Sequence, residues 1–240
     1  MSADDRKKLN RKSVRELTDF GIVRDIADYI VGVANRGDNI LISGETDSGK
    51  TSFLNAILQK INSKKKVISI ENTKELVFSN MELSEQFYTR GDGNNSNCSY
   101  SNIVGHVITV NPDIFIVGDI NIDNAYPSVS LLSEERRGFL STIHACSSVD
   151  AINVAFPCNV RFSGHDSVNV AGLLSKTINL VIHLESINNL KVVSEIYYPR
   201  FGGEDGMIIF SKNKARADDV VKAKALRELD YNSTHREIIQ

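Results

Sequence analysis

With 240 residues, a formal net charge of −2, 24% charged and 41% hydrophobic residues, the chain has the size and balance of one α/β domain that buries a full core, with room for a small appendage. The slightly acidic balance predicts no direct nucleic-acid contact, and no apolar run is long enough to span a bilayer. The 3 cysteines, Cys98, Cys146 and Cys158, form no C-x-x-C pair, which argues against a disulfide framework or a cysteine zinc site and for a reducing compartment.

Residues 1–18 are polar, with Arg6, Lys7, Lys8, Arg11 and Lys12 clustered. They read as a solvated charged tail, or as a linker remnant touching a neighbouring subunit. No apolar core is present there, so a signal peptide is not expected. Over residues 19–34 the apolar positions Ile22, Val23, Ile26, Tyr29, Ile30 and Val33 recur at three and four, predicting a helix with Asp19 as its candidate N-cap. The apolar run 39–43 predicts a buried strand, and residues 51–61 a helix with Phe53, Leu54, Ile57, Leu58 and Ile61 on one face.

Between that strand and that helix lies Gly44-Glu45-Thr46-Asp47-Ser48-Gly49-Lys50-Thr51, followed by Ser52. This is G-x-x-x-x-G-K-T, in the strand–loop–helix setting that a phosphate-binding loop requires. Glycines let the backbone curl so that successive N–H groups face phosphate oxygens. Lys50 would reach the β- and γ-phosphates and the Thr51 hydroxyl would ligate Mg²⁺, with the helix N-terminus adding its positive end. ATP and Mg²⁺ are therefore the expected ligands.

A second strand is predicted over 67–70, ending at Glu71-Asn72-Thr73, and a short one over 87–90. Residues 91–99 read as a loop and 100–110 as a helix broken by Asn111-Pro112-Asp113. A buried strand over 114–117 leads into Gly118-Asp119, and an acidic residue after a hydrophobic strand is the usual partner of a phosphate-binding loop, holding the metal or orienting the attacking water. A helix follows over 123–137, with Pro127 confined to its first turn, then a strand over 138–143 ending at His144. Helical patterns cover 150–162, interrupted by Pro157, and 167–175. Strands over 178–184, 191–198 and 206–210 come without helices between them, so antiparallel pairing is expected, the last joined through a Gly202-Gly203 turn. The remainder, 212–240, is a charged tail with a helix over 218–229. There is no internal repeat. The expected architecture is an α/β core over 19–211, with a mostly parallel sheet flanked by helices and an antiparallel C-terminal edge.

Four segments in order carry a resemblance: the phosphate-binding loop; Ile68-Ser69-Ile70-Glu71-Asn72-Thr73-Lys74-Glu75-Leu76; Asn111-Pro112-Asp113-Ile114-Phe115-Ile116-Val117-Gly118-Asp119-Ile120; and Gly138-Phe139-Leu140-Ser141-Thr142-Ile143-His144-Ala145. Together they resemble the secretion traffic ATPases, which power type II and type IV secretion, conjugation and type IV pili. The second, third and fourth segments look like that family's Asp box, Walker B motif and His box, and their wording is most similar to the type IV secretion branch. The resemblance implies a RecA-like fold and Mg-dependent ATP hydrolysis by a homo-oligomeric, hexameric ring on inner-membrane secretion or conjugation machinery, in the cytoplasm or at the cytoplasmic face of that membrane. It also implies roles: Glu71 near the metal and γ-phosphate, Asp119 as general base and metal ligand, and His144 as γ-phosphate sensor or relay.

The chain departs from the family pattern at several points. Asp119 stands where the family has glutamate, one methylene longer, and misplacement on that scale costs on the order of a hundredfold in rate. Asn121 replaces the usual arginine, Ile108-Thr109-Val110 the usual Leu-Arg, and Asp47 a usual glycine. The family's N-terminal domain, which can supply arginines to the transition state, has only residues 1–38 to correspond to it here. Arg90 is the remaining candidate for a phosphate-facing arginine. These departures keep open an alternative function, a hydrolysis-poor nucleotide-binding scaffold or regulatory relative.

Overall fold

The computed structural model describes residues 15–89, 99–134, 137–165, 169–199 and 206–212. Arg90, the Gly202-Gly203 turn, the helix expected over 218–229 and nearly all of the N-terminal tail lie outside the described residues.

Apolar periodicity sets the first elements. A 3₁₀ turn, Leu17–Phe20, buries Leu17 and Phe20, and helix α1, Arg24–Asn35, buries Ile26, Ala27, Ile30, Val33 and Ala34 along one stripe. The helix expected from residue 19 thus begins five residues later. Gly21 takes a left-handed φ of 77°, which closes the turn and breaks helical continuity. Asp19 instead completes a capping box with Glu16, accepting from the Glu16 N–H at 2.9 Å.

Strand β1, Ile40–Gly44, leads through the phosphate-binding loop into α2, Lys50–Leu58. Then come β2, Lys66–Glu71; β3, Leu83–Tyr88; α3, Tyr100–Val110; β4, Ile114–Ile120; α4, Ala125–Ser133; and β5, Phe139–Ile143. The chain leaves α3 through Asn111 at a left-handed φ of 47°, the break expected from Asn111-Pro112. Helix α4 is shorter than the pattern over 123–137 suggested, and Pro127 falls in its first turn, where no intrahelical N–H bond is needed. Three consecutive helical pieces follow: α5, Ser148–Asp150; a π turn, Ala151–Ala155; and α6, Phe156–Phe162. The π turn, closed by Phe156 N–H donating to Ala151 O, widens the helix immediately before Pro157, whose ring would crowd a tighter turn. Next come α7, Val170–Thr177, and strands β6, Leu180–Ile187, β7, Leu190–Tyr198, and β8, Met207–Ser211.

Among the described residues the strands form one eight-stranded sheet in the order β3-β2-β4-β5-β1-β6-β7-β8. Pairings from β3 through β6 are parallel, while β7 pairs antiparallel with both β6 and β8. The antiparallel C-terminal edge expected from the sequence is present. Alternation along each strand feeds two cores. Ile40, Ile42, Ile116 and Ile182 pack with Phe20, Ile30, Phe53 and Ile57 beneath α1 and α2. Leu41, Phe115, Val117 and Val181 face the other way, onto Val107, Leu131, Phe156 and Leu174. Burial on both faces explains why the central strands are continuous apolar runs.

Asn39, buried at the foot of β1, sets the register of three strands. Its Oδ1 accepts from Phe139 N–H at 2.9 Å, its Nδ2 donates to Thr177 O at 2.9 Å, and its backbone N–H donates to Asn179 Oδ1 at 2.9 Å. Asn39→Ala would leave the Phe139 N–H and the Thr177 carbonyl without these partners, at about 1–3 kcal/mol per buried group. The expected outcome is a loss of stability of roughly 3 kcal/mol in urea unfolding; a loss below about 0.5 kcal/mol would show that the asparagine does not hold the strands.

Candidate functional site

The carboxyl ends of the parallel strands open onto a cleft of about 980 Å³. It is lined by the phosphate-binding loop, by Glu71 to Thr73, Glu75 and Leu76 after β2, by Gly118 and Asp119 on β4, by Thr142 and His144 at the end of β5, and by Arg15 and Lys191. The four sequence segments therefore converge on one cavity, as ligand sites do at strand ends of parallel α/β sheets.

The loop leaves β1 through Gly44. A Cβ on Gly44 would stand 2.4 Å from Ser48 Oγ and 2.5 Å from the Leu184 carbonyl, so only glycine permits this curl. Asp47 and Gly49 both adopt left-handed φ, 58° and 95°. Position 47 is therefore one where glycine would be free of strain, and aspartate is among the residues that tolerate it best. Its carboxylate is exposed to solvent, the orientation in which an anion least disturbs the loop. The Lys50 ammonium folds back to donate to the carbonyls of Gly44 at 2.9 Å and Glu45 at 2.8 Å. Burial lowers the Lys50 ammonium below its ordinary value, opposed by the charges of Asp119 and Asp47. Beneath the loop, Ser43 Oγ meets the ring nitrogen Nδ1 of buried His183 at 2.9 Å, and burial pushes that imidazole down.

Opposite the loop, β4 carries a bulge. Val117 pairs with Ser141 and Ile120 with Ile143, so one extra residue of β4 falls at Gly118-Asp119. Thr142 fills the irregularity: its hydroxyl lies 2.7 Å from Gly118 O and 2.7 Å from Asp119 Oδ1. A hydroxyl has one proton to give. With Asp119 ionised, that proton goes to the carboxylate; with Asp119 protonated, the carboxyl can donate to Thr142 while Thr142 donates to Gly118. Burial raises the Asp119 carboxyl above its ordinary value, and the Thr142 bond, His144 and Lys50 oppose that rise. His144, exposed, places Nε2 3.9 Å from Asp119 Oδ2.

Glu71 is buried at the end of β2, packed against Gly118, where a Cβ would come within 3.1 Å of Glu71 Cγ. Its Oε2 accepts from the Glu75 and Leu76 N–H groups at 2.8 and 2.9 Å, which shapes the loop after β2. Its Oε1 is buried with no hydrogen-bond partner, as is Ser48 Oγ in the phosphate-binding loop. Two orphaned polar atoms beside this cleft, together with the oxygen donors of Thr51 and Asp119, fit a polyphosphate accompanied by a hard cation that retains most of its water.

Of the residues singled out in the sequence, Thr46, Asp47, Gly49, Lys50, Thr51, Ser52, Glu71, Asp119 and His144 line this cleft. Gly44, Glu45 and Ser48 build the loop behind it, and Arg90 lies outside the described residues. Thr142, Arg15 and Lys191 were missed. Alternation along β5 puts Thr142 on the same side as His144 and could have flagged it. No sequence signal marks Arg15 or Lys191, which tertiary packing brings to the cleft.

A family model described as type II/IV secretion system protein matches residues 6–184. The type IV secretion system protein VirB11 of Bartonella quintana is 23% identical over 181 residues, 74% of this chain and 51% of that protein. The chain spans about half the length of the curated relatives it matches. Among solved structures, the VirB11 ATPase of the Brucella suis type IV secretion system, in complex with sulphate, superposes with a TM-score of 0.61 at 16% identity, covering 82% of this chain and 62% of that one. The pilus retraction motor PilT with bound ADP gives 0.56 at 18% identity, covering 93% and 60%. These likenesses establish the RecA-like fold.

Burial raises the Glu71 carboxyl above its ordinary value of 4.5, with the two backbone N–H bonds opposing. The folded state therefore holds that proton more tightly than the unfolded chain does, so this group costs stability as pH rises from the ordinary carboxylate range through the raised folded value. Glu71→Gln keeps an oxygen for Glu75 and Leu76 and has no proton to lose. In nucleotide-free, metal-free protein the variant is expected to be more stable than the parent at pH 8, with the gap closing toward pH 4.5. Urea midpoints across that range check it, and a gap that widens toward acid would refute it.

Proposed function

The chain belongs to the type II/IV secretion system protein family, and on that premise we propose that it is the ATP-binding and ATP-hydrolysing core of a traffic ATPase that powers type IV secretion or conjugation. The reading rests on one observation above all: Lys50 and Thr51 face Glu71, Asp119, Thr142 and His144 across a single cleft. Phosphoryl transfer needs little covalent help from a protein, so positioning and electrostatics at such a cleft supply most of the rate.

In this reading Lys50 leaves the Gly44 and Glu45 carbonyls to pair with the β- and γ-phosphates. Asp119 accepts the proton of the attacking water, Thr142 fixes the direction of its carboxylate, and His144 registers the state of the γ-phosphate. Thr51 and Asp119 would hold Mg²⁺. The ion supplies charge neutralisation of the phosphates. The bulge at Gly118-Asp119 compensates for the short aspartate by re-aiming it into the cleft. The PilT motor with ADP and VirB11 with sulphate support placing a nucleotide here. We read the assembly as a hexameric ring docked peripherally on inner-membrane secretion machinery at its cytoplasmic face. No helix among the described residues is long and apolar enough to cross a membrane.

One observation favours a second reading, a hydrolysis-poor nucleotide-gated scaffold: Asp119 is one methylene shorter than the family's glutamate and is already engaged by Thr142 at 2.7 Å. Steady-state ATP turnover, measured with nucleotide affinity at several protein concentrations, separates the two. The motor predicts turnover per protomer that rises with concentration and falls on the order of a hundredfold or more in Lys50→Ala and Asp119→Asn. Tight ATP binding without turnover would establish the scaffold instead.

The Thr142 bond holds the Asp119 carboxyl down against burial. Thr142→Val removes it, so Asp119 stays protonated to higher pH. The acid limb of the turnover–pH profile is expected to move to higher pH in Thr142→Val and to stay in place in Thr142→Ser. An unmoved limb in Thr142→Val would count against Asp119 as the base.

A further inference from the structure

The cleft has a second, cationic end that the catalytic reading leaves unused. Gly44 pairs with Leu184, and there β1 stops, while β6 runs on to Ile187 before turning into β7. The β6–β7 hairpin therefore rises three residues, about 10 Å, above the start of the phosphate-binding loop and walls one side of the cleft. Lys191 stands on that wall, opposite Ser186, with its Nζ donating to Ser186 Oγ at 3.0 Å. Its stem packs on the loop: a Cβ on Gly49 would lie 3.0 Å from Lys191 Cβ.

Arg15 reaches the same end from the N-terminal turn. Its guanidinium lies over the ring of Phe20, 5.8 Å from the centroid, and Phe20 meets Phe53 of α2 edge-on at 5.0 Å. Phe20 also flanks Gly49, with Cε1 3.5 Å from where a Cβ would be. The turn is seated against β7, since a Cβ on Gly21 would meet Val192 at 3.5 Å. Two cations from distant parts of the sequence are thus anchored beside Gly49.

The sheet order gives this end its meaning. Asp119 on β4 lies two strands from β1 on one side, and Lys191 on β7 lies two strands away on the other. A P-loop lysine serves the β- and γ-phosphates. With the hydrolytic carboxylate on the β4 side, the triphosphate must run across the loop so that its nucleoside points toward β7.

We propose that Arg15 and Lys191 form the nucleoside-binding end of the site, Arg15 stacking on the nucleobase and Lys191 hydrogen-bonding the ribose. This rests on the nucleotide-binding reading above and adds which end of the ligand these residues hold. A guanidinium stacks on a base face regardless of base identity, so the site accepts nucleotides with little discrimination between bases.

The test is equilibrium binding of ATP, ADP and inorganic tripolyphosphate at 0.15 M salt, about the ionic strength at which charges beyond ~8 Å are screened, to the parent, Arg15→Ala and Lys191→Met. Lys191→Met retains the stem that packs on Gly49. The expected result is a Kd for ATP and ADP raised about tenfold in each variant, with tripolyphosphate affinity unchanged, which also shows the loop intact. Unchanged ATP affinity in both variants would overturn the inference, as would equal losses for ATP and tripolyphosphate, because the cations would then act on the phosphates. A parent that binds neither ATP nor tripolyphosphate would overturn the proposed function itself, and this inference with it.

Discussion

The buried Lys50 ammonium, bonded to the carbonyls of Gly44 and Glu45, is the contact on which the site depends. An amine removed from water needs hydrogen-bond partners, and the loop's own carbonyls provide them. Gly44 is pressed against Ser48 and the Leu184 carbonyl, which keeps the loop curled.

The sheet organises everything else around that loop. Because β1 lies between β5 and β6, the strands that carry Thr142 and the hairpin wall are its immediate neighbours, and β4 and β7 stand one strand further out on either side. Carboxylates collect on the β2–β4 side and the cations Arg15 and Lys191 on the β7 side. The two sides of the cleft are therefore chemically distinct.

The bulge in β4 shapes the cleft locally. A regular strand would pair Gly118 and Asp119 in the ladder with β5; the extra residue frees the Gly118 carbonyl and turns the Asp119 side chain toward Thr142. Glu71, packed flat against Gly118, has one oxygen committed to backbone N–H groups and one without a partner. A glycine at position 118 leaves room for the Glu71 side chain, whose Cγ a Cβ there would meet at 3.1 Å.

Much of this was legible in the chain. Continuous apolar runs marked the buried parallel strands, three-and-four spacing marked α1 and α2, and the glycines with Lys50 and Thr51 marked the loop, because those patterns follow from local backbone geometry and from burial on two faces. Local geometry also moved one boundary, where a left-handed Gly21 delayed α1, while a π turn accommodates Pro157 within the helical stretch expected over 150–162. Sequence alone determined the succession of buried strands and main helices and the phosphate-binding-loop motif between β1 and α2. Only the tertiary structure decided the strand order, the bulge that aims Asp119 at Thr142, and the meeting of Arg15 with Lys191 beside Gly49. Such contacts join residues far apart in the chain, and the packing that creates them leaves no periodic trace in either segment.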